Sequence, residues 1–253
     1  MQILDTNIIS YASKGDQKYL VEGEAISSIT ASEFLEIQSS NPRRANYYVP
    51  ILSANHRSCL PFSSMLSRRD RPYSKSTTDS VVFSFSADYP SLIEYSNLAI
   101  SLAINNQDSQ LFYSSIRTLS KEKHKVIKGR FDFILRHHIS CIPLNQDIIS
   151  NAHELLSKFK QSHNLKDNFR NSWNDVMILS TAMVSSTTLV TKDTELNRFA
   201  ASAYPCKCKT DGDTVILDFS IGEKREAVSK QDSKGYINRG WAASFRKYGN
   251  VTP

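Results

Sequence analysis

Acidic side chains stand at the boundaries of several predicted elements, where they could gather around an ion. Asp5 follows the short apolar run "QIL", and Asp193 follows the β-branched run "TTLVT". Glu33 lies in the first turn of a helix predicted after "AISSIT", and Asp175 in the first turn of a helix predicted for "WNDVMILSTAMVSS". Since loops and helix starts converge at the carboxyl ends of parallel strands, we expect these acids at one edge of a sheet.

Carboxylates gathered at one place repel one another, and this repulsion must be offset. Two unit charges about 4 Å apart cost about 4 kcal/mol at an effective dielectric constant near 20. Protonation of one or more acids would relieve this repulsion. A hard divalent cation relieves it while keeping water ligands for chemistry, and oxygen ligands suit Mg²⁺ or Mn²⁺. We therefore interpret Asp5 as a metal ligand at the end of the first strand.

Helix capping is the alternative explanation for each acid taken singly. The "TASE" at residues 30–33 fits a capping box, and the "SWND" at residues 172–175 fits its looser form. Asp5 and Asp193 could cap the helices that follow them. A helix start accepts Ser, Thr, Asn or Asp about equally, so capping does not require a carboxylate at all of these places.

The segments that must position these acids alternate between strand and helix patterns. Near the start, "QIL", "NIISYASKG", "AISSIT" and "ASEFLEIQS" read as strand, helix, strand and helix. Later, "ISCIPL" reads as a strand, "QDIISNAHELLSKFKQ" and "WNDVMILSTAMVSS" as helices, and "TTLVT" as a strand. This alternation predicts an α/β fold with a central parallel sheet.

Two further stretches depart from this pattern. Residues 41–119 contain a Ser-rich, basic passage with Pro61 and Pro72, and we predict an insertion formed by a loop and by helices near 91–105 and 108–121. After Ala200, the Asp211-Gly212 pair predicts a tight hairpin, because such a pair supplies a positive φ. The remainder of residues 201–253 is a basic extension.

The overall composition is that of an ordinary globular protein with an excess of positive charge. The chain has 253 residues, a formal net charge of +6 and a sequence pI near 9.1, which favours an anionic partner such as nucleic acid. Four cysteines do not indicate a disulfide framework in a chain of this length. No apolar run is long enough for a membrane span, and no secretory signal begins the sequence. We expect a cytoplasmic protein that keeps its N-terminus and does not bind membranes.

Taken together, five segments resemble the PIN-domain nucleases, especially the VapC-like ribonuclease toxins. They are "ILDTNIIS", "SSITASEFLEI", "IPLNQDIISNAHELL", "WNDVMILSTAM" and "TLVTKDTEL". The resemblance covers about residues 1–40 and 120–200. It implies a three-layer PIN-like domain over residues 1–200, with helices on both sides of the sheet, the insertion at 41–119 and the hairpin and tail at 201–253.

The resemblance also implies an Mg²⁺- or Mn²⁺-dependent endonuclease that cuts phosphodiester bonds, in RNA rather than DNA. By position, Asp5, Glu33, Asp175 and Asp193 match the acidic quartet that binds metal and catalyses cleavage. Glu36 lies one turn beyond Glu33 and is an alternative to it. Glu195 lies two positions after Asp193 and is an alternative to that residue. The substrate-binding candidates are the polar pair that follows the first acid and a set of basic residues: Thr6, Asn7, Lys192, Arg68, Arg69 and Arg71.

Partners follow from the same resemblance. A toxin or antiviral effector of this kind has an inhibitory, antitoxin-like partner protein and forms homodimers, and its substrate is nucleic acid. The second hypothesis is a PIN-like module that keeps the acids but lacks catalysis and binds RNA or a protein. No phosphate-binding G-x-x-x-x-G-K loop is present in the sequence, which disfavours a nucleotide phosphoryl-transfer enzyme.

Overall fold

The computed structural model describes residues 1–35, 45–47, 80–85, 92–116, 119–162, 169–220 and 242–246. Strands and helices alternate along most of this chain. In chain order they are β1 (Gln2–Leu4), α1 (Thr6–Ser13), β2 (Ala25–Ser27), α2 (Ser28–Leu35), β3 (Ala45–Tyr47), β4 (Ser80–Ser84), β5 (Leu92–Ser96), α3 (Leu98–Asn105), α4 (Ser109–Ile116), α5 (Lys121–Arg136), β6 (Ser140–Ile142), α6 (Gln146–Ser162), α7 (Phe169–Val184), β7 (Thr188–Thr191), α8 (Thr194–Ala203), β8 (Lys207–Asp211), β9 (Thr214–Asp218) and β10 (Ala242–Arg246).

The main sheet has six strands in the order β6-β2-β1-β7-β9-β8. The first four of these strands are parallel, with Ile3 opposite Ala25 on one side of β1 and opposite Leu189 on the other. Strand β9 runs antiparallel to β7, and β8 antiparallel to β9. The α/β prediction is confirmed, but the sheet is mixed, because the hairpin after α8 extends it with antiparallel strands.

Both faces of the parallel strands are buried, as helix-covered sheets require. Along β1, Ile3 and Leu4 point to opposite faces, because side chains alternate across a strand. Ile3 joins a core formed with α6, α7 and α8, whereas Leu4 joins a core formed with α1, α2 and α3 to α5. Helices therefore cover the sheet on both sides, and the sheet forms the middle layer.

The region predicted as a loop with helices also contains strands. Strands β3, β4 and β5 form a second sheet with β10, in the order β10-β4-β5-β3. The helix predicted over 91–105 is partly wrong: residues Leu92–Ser96 form a strand, and the helix begins at Leu98. The buried alternation of Ile93 and Tyr95 explains this, since period-two burial against the main core favours a strand. The helix predicted over 108–121 is confirmed for Ser109–Ile116, which form α4, whereas Lys121 already belongs to α5.

The hairpin predicted around Asp211-Gly212 is confirmed as β8 and β9, and Gly212 has the positive φ of 61° that the turn needs.

Within the described residues, no helix is both long and apolar enough to cross a bilayer.

Two helices begin earlier than predicted, which changes the position of two of the acids. Helix α2 starts at Ser28, and α7 starts at Phe169. Glu33 and Asp175 therefore lie in the second turns of their helices, and neither belongs to a capping box. The capping explanation is wrong for these two acids, because the residues proposed as caps are already inside the helices.

Candidate functional site

Asp5 occupies the junction between β1 and α1, at the carboxyl end of the parallel strands. Its backbone N–H donates to the carbonyl of Val190 over 3.0 Å, which ties this junction to the end of β7. Its side chain is 4% exposed and caps α1 by accepting the Thr6 N–H over 2.6 Å. The second carboxylate oxygen accepts from Asn7 Nδ2 at 2.9 Å and from the Thr191 hydroxyl at 2.6 Å.

Thr6 joins the two acids contributed by the first half of the chain. While its N–H donates to Asp5, its hydroxyl donates to Glu33 Oε2 over 2.5 Å. Glu33 reaches this point from α2, which follows β2, the neighbour of β1 in the sheet. The carboxylates of Asp5 and Glu33 therefore meet on either side of one threonine, although 27 sequence positions separate Thr6 from Glu33.

Asn174 holds the other oxygen of Glu33. This fully buried side chain, on α7, donates from Nδ2 to Glu33 Oε1 and accepts the hydroxyl of Tyr95 at its own Oδ1. Tyr95 comes from β5, so the region between α2 and α5 contributes a residue to the site. A chain of hydrogen bonds from Tyr95 through Asn174 and Glu33 to Thr6 thus connects three parts of the sequence.

Burial raises the pKa of Glu33 above its ordinary value of 4.5. The hydrogen bonds from Thr6 and Asn174 oppose this rise, the negative charge of Asp5 adds to it, and the positive charge of Arg170 opposes it. A carboxylate without water around it loses solvation, and a neighbouring carboxylate repels it, so both effects favour the protonated form. The site is therefore one in which added positive charge would be stabilising.

The two other predicted acids are placed differently: Asp193 joins the network of this pair, and Asp175 follows a residue that contacts Glu33. Asp193 follows β7 and caps α8 by accepting the N–H groups of Glu195 and Leu196, both over 2.9 Å. Its own N–H donates to the Thr191 hydroxyl, which in turn donates to Asp5, so Asp193 belongs to the same hydrogen-bonded network. Asp175 is half-buried on α7, directly after Asn174.

The arrangement brings together fewer acids than the sequence predicts. Within the residues that the structure describes, no three His, Cys, Asp or Glu side chains are grouped closely enough to hold a metal ion. Asp5 and Glu33 form the central pair, joined by Thr6. The side-chain groups that donate to them are the hydroxyls of Thr6 and Thr191 and the amide nitrogens of Asn7 and Asn174.

The predicted substrate-binding residues divide into two sets. Thr6 and Asn7 lie in the network, and Asn7 Oδ1 also accepts the backbone N–H of Lys192 over 3.3 Å. The Lys192 ammonium pairs with Asp213 in the turn between β8 and β9, and this hydrogen bond raises the pKa of Lys192. Hydrogen bonds from Lys18 and then from Lys192 lower the pKa of Asp213. The remaining substrate-binding candidates, Arg68, Arg69 and Arg71, lie outside the described residues, as does Glu36, the alternative to Glu33.

Sequence reasoning missed the residues that connect the acids. Asn174 and Thr191 each stand within two positions of a predicted acid, so their proximity was a usable signal. Tyr95 and Arg170 carry no such signal. Tyr95 lies in the region that the sequence predicts as helical, and only the pairing of β5 with β4 places it beside α7.

The chain was compared with protein-family models, curated proteins and solved structures. No protein-family model, no curated protein and no solved structure matches the chain.

Proposed function

We propose that this protein is an Mg²⁺- or Mn²⁺-dependent endoribonuclease with a PIN-like active site. One observation carries the proposal: Asp5 and Glu33 lie on either side of Thr6 at the carboxyl ends of adjacent parallel strands, and burial, together with the charge of Asp5, raises the pKa of Glu33. A bound cation would offset the repulsion between these two carboxylates. Ligand sites of α/β sheets collect at this edge.

The donor set fits a hard cation. Its members are the oxygens of Asp5 and Glu33, with Asp193 in the same network through Thr191 and Asp175 one residue beyond Asn174. Among the described residues, no thiol or thioether side chain belongs to this network. Mg²⁺ and Mn²⁺ prefer oxygen ligands and commonly retain several waters, so two carboxylates suffice for an initial attachment. Asp5 and Glu33 would hold the ion, with Asp175 and Asp193 completing the acidic surroundings.

In this proposal the bound ion would lower the pKa of a water and neutralise charge on the phosphate during in-line displacement. The protein's residues orient that chemistry. Thr6 fixes the two carboxylates relative to each other, and Asn174 fixes the second oxygen of Glu33. The charge of Arg170 acts on Glu33 and adds positive charge beside the acids. No covalent protein intermediate is required.

The decisive test replaces the two acids that come from opposite ends of the chain. Asp5→Asn and Asp175→Asn should each reduce Mn²⁺-dependent cleavage of a mixed RNA pool by roughly 100-fold or more, since even the partners of metal ligands contribute 10–100-fold. Asparagine also caps helices, so Asp5→Asn should leave the fold intact. Sequencing of the cleavage products reports activity and preference together.

Asp147→Asn is the matched control, because Asp147 is an exposed acid in the first turn of α6. It should cleave like the unaltered protein. Full cleavage by both Asp5→Asn and Asp175→Asn would end the nuclease proposal.

A second candidate function is an RNA-binding module without catalysis. The observation in its favour is that both oxygens of Glu33 and both oxygens of Asp5 already accept hydrogen bonds from protein groups. Such a network is stable without an ion. Purified protein that binds mixed RNA in Mn²⁺ but leaves both RNA and single-stranded DNA uncut would support this function over the nuclease.

A further inference from the structure

Three segments distant in sequence meet beside the acidic network around one carboxylate. Asp213, in the turn between β8 and β9, contacts Lys18 Nζ at 2.5 Å through Oδ1 and contacts the Lys192 ammonium through Oδ2. The turn lies so close to Lys18 that a Cβ on Gly212 would stand 3.1 Å from Nζ. Two ammonium groups thus hold a carboxylate between them, an arrangement that would equally hold a phosphate.

Two tyrosine rings border these lysines. The rings of Tyr11 and Tyr19 have centroids 6.2 Å apart, and Lys192 Nζ lies 4.2 Å from the first and 5.7 Å from the second. Lys14 Nζ lies 5.9 Å from the Tyr11 ring. Tyr11 is 43% exposed, so its ring can accept a further stacking partner. Ammonium groups beside an exposed ring are a combination that binds the backbone and bases of single strands, and the Tyr19 ring next to it is partly buried.

This group of side chains adjoins the acidic network. The Lys192 N–H donates to Asn7 Oδ1, and Asn7 donates to Asp5. Thr191, directly before Lys192, donates to Asp5 as well. A strand bound over Lys18 and Lys192 would therefore continue towards Asp5.

The two ion pairs of Asp213 differ in exposure, since the Lys192 side chain is 22% exposed and the Lys18 pair is more open to water. The side chains of Lys18 and Asp213 are 46% and 53% exposed, and exposed ion pairs contribute little to stability because water and salt screen them. A phosphate in place of the carboxylate would keep both ammonium contacts, and it would release the counterions condensed on the nucleic acid.

We propose that Lys18 and Lys192 form a phosphate subsite for single-stranded nucleic acid, occupied by Asp213 in the unbound protein, with Tyr11 and Tyr19 as the adjoining base-stacking surface. This inference rests on the proposed nuclease function for its choice of ligand. The inference goes beyond the proposed metal site, because it names where the nucleic acid binds and identifies Asp213 as a carboxylate that competes with it.

The test measures binding in EDTA, where metal-dependent cleavage cannot occur. The probe is a fluorescently labelled, mixed-sequence 12-nucleotide RNA, titrated with full-length protein between 50 and 200 mM salt. Lys18→Ala and Lys192→Ala should each weaken binding and lower the salt slope by about 0.7, the contribution of one phosphate contact on a single strand. Asp213→Asn should tighten binding, because it removes the competing carboxylate. Tyr11→Leu should weaken binding about five-fold or more.

Lys128→Ala is the matched control. Lys128 is an exposed lysine on α5 whose Nζ lies 4.7 Å from the Tyr113 ring, so it reproduces the lysine and tyrosine contact away from the site. Its binding and salt slope should equal those of the unaltered protein. Thermal unfolding of every variant distinguishes weakened binding from misfolding.

The outcomes separate this inference from the proposed function. Unchanged affinity in both lysine variants, or weaker binding by Asp213→Asn, overturns the subsite even if the protein cleaves RNA. Equal effects of Lys128→Ala and Lys18→Ala, or tighter binding to a duplex of the same sequence, also overturn it. The expected pattern in a protein that cuts nothing in Mn²⁺ would uphold the subsite and reject the nuclease.

Discussion

Glu33 is the residue at which stability and the proposed chemistry oppose each other. Its carboxylate is buried beside Asp5, and burial together with that negative charge raises its pKa. Thr6 and Asn174 supply hydrogen bonds that only partly offset the loss of water. A glutamine in its place could accept from Asn174 and donate to the Thr6 hydroxyl without carrying any charge.

Glu33→Gln should therefore stabilise the metal-free protein at neutral pH. The native pKa lies above the unfolded value, so between these two pKa values the native state binds more protons than the unfolded state. The free energy of unfolding then falls as the pH rises from about 4.5 through the native pKa. In EDTA at pH 7.5, the variant should melt roughly 2–4 °C higher, the shift that 1 kcal/mol produces in a domain of this size.

The pH dependence checks the cause. As the pH falls below about 4.5, Glu33 becomes protonated in both states, and the two melting temperatures should converge. Glu154→Gln, an exposed change on α6, is the control and should leave the melting temperature unchanged over the same pH range. A melting temperature of Glu33→Gln below that of the unaltered protein at pH 7.5 would contradict the argument.

At this scale, the sequence predicts which residues begin the site but not which residues complete it. Asp5, Thr6 and Asn7 follow a recognisable strand, and all three enter the network. Asn174 stands beside a predicted acid, but its side chain is uncharged, so the sequence alone does not mark it as part of a site. Its role depends on Tyr95, which approaches from a distant segment.

Between elements, Asn97 holds three segments in register. At the junction of β5 and α3, its Oδ1 accepts the Leu144 N–H at 2.6 Å and the Ser28 hydroxyl at 3.1 Å. Its Nδ2 donates to the Leu144 carbonyl at 3.0 Å. Asn97 is 4% exposed, so water cannot replace these partners. The start of α2, which carries Glu33, is fixed to the loop after β6 through this one side chain.

Asn97→Ala should lower the free energy of unfolding by about 2–4 kcal/mol, because each buried group left without a partner costs about 1–3 kcal/mol. Urea unfolding at neutral pH measures the loss. Asn106→Ala is the matched control: Asn106 is exposed, and the C-cap of α3 uses its backbone N–H rather than its side chain. A loss below about 0.5 kcal/mol for Asn97→Ala would show that the amide does not connect these elements.

The elements themselves are predictable where their hydrophobic period is strong. Helix α6 spans Gln146–Ser162, as its apolar spacing predicts. Helix starts are less predictable, since α2 begins at Ser28 within a run that reads equally well as a strand. Strand β5 escapes prediction because its burial depends on contact with the main core, which local spacing does not encode.

Over the whole molecule, the region between α2 and α5 shares its core with the main sheet. Phe83 on β4 packs edge-to-face on Trp173 at a centroid distance of 5.0 Å, and Phe85 packs on the same ring at 5.3 Å. Tyr95 lies 6.0 Å from Phe83. Trp173 is fully buried on α7 and directly precedes Asn174 and Asp175 in the sequence. Packing of the second sheet and position of the acidic network therefore depend on each other.

Phe83→Ala should lower the free energy of unfolding by about 3–5 kcal/mol, the usual cost of removing a buried phenyl ring. Because the core is shared, loss of helix by circular dichroism and change of tryptophan fluorescence should occur at the same urea concentration. Leu98→Ala, a half-exposed position on α3, is the control and should cost much less. Separate transitions for the two signals would show that the second sheet unfolds alone.

The pairing of β10 with β4 has a consequence for the order of assembly during translation. Residues Ala242–Arg246 lie antiparallel to Ser80–Ser84, so the edge of β4 gains its neighbour only after residues 85–241 have been synthesised. Until then, a nascent polypeptide on the ribosome presents the unpaired backbone groups of β4, and such an edge can recruit strands from other chains. A chaperone that shields residues 80–84 would matter most in that interval.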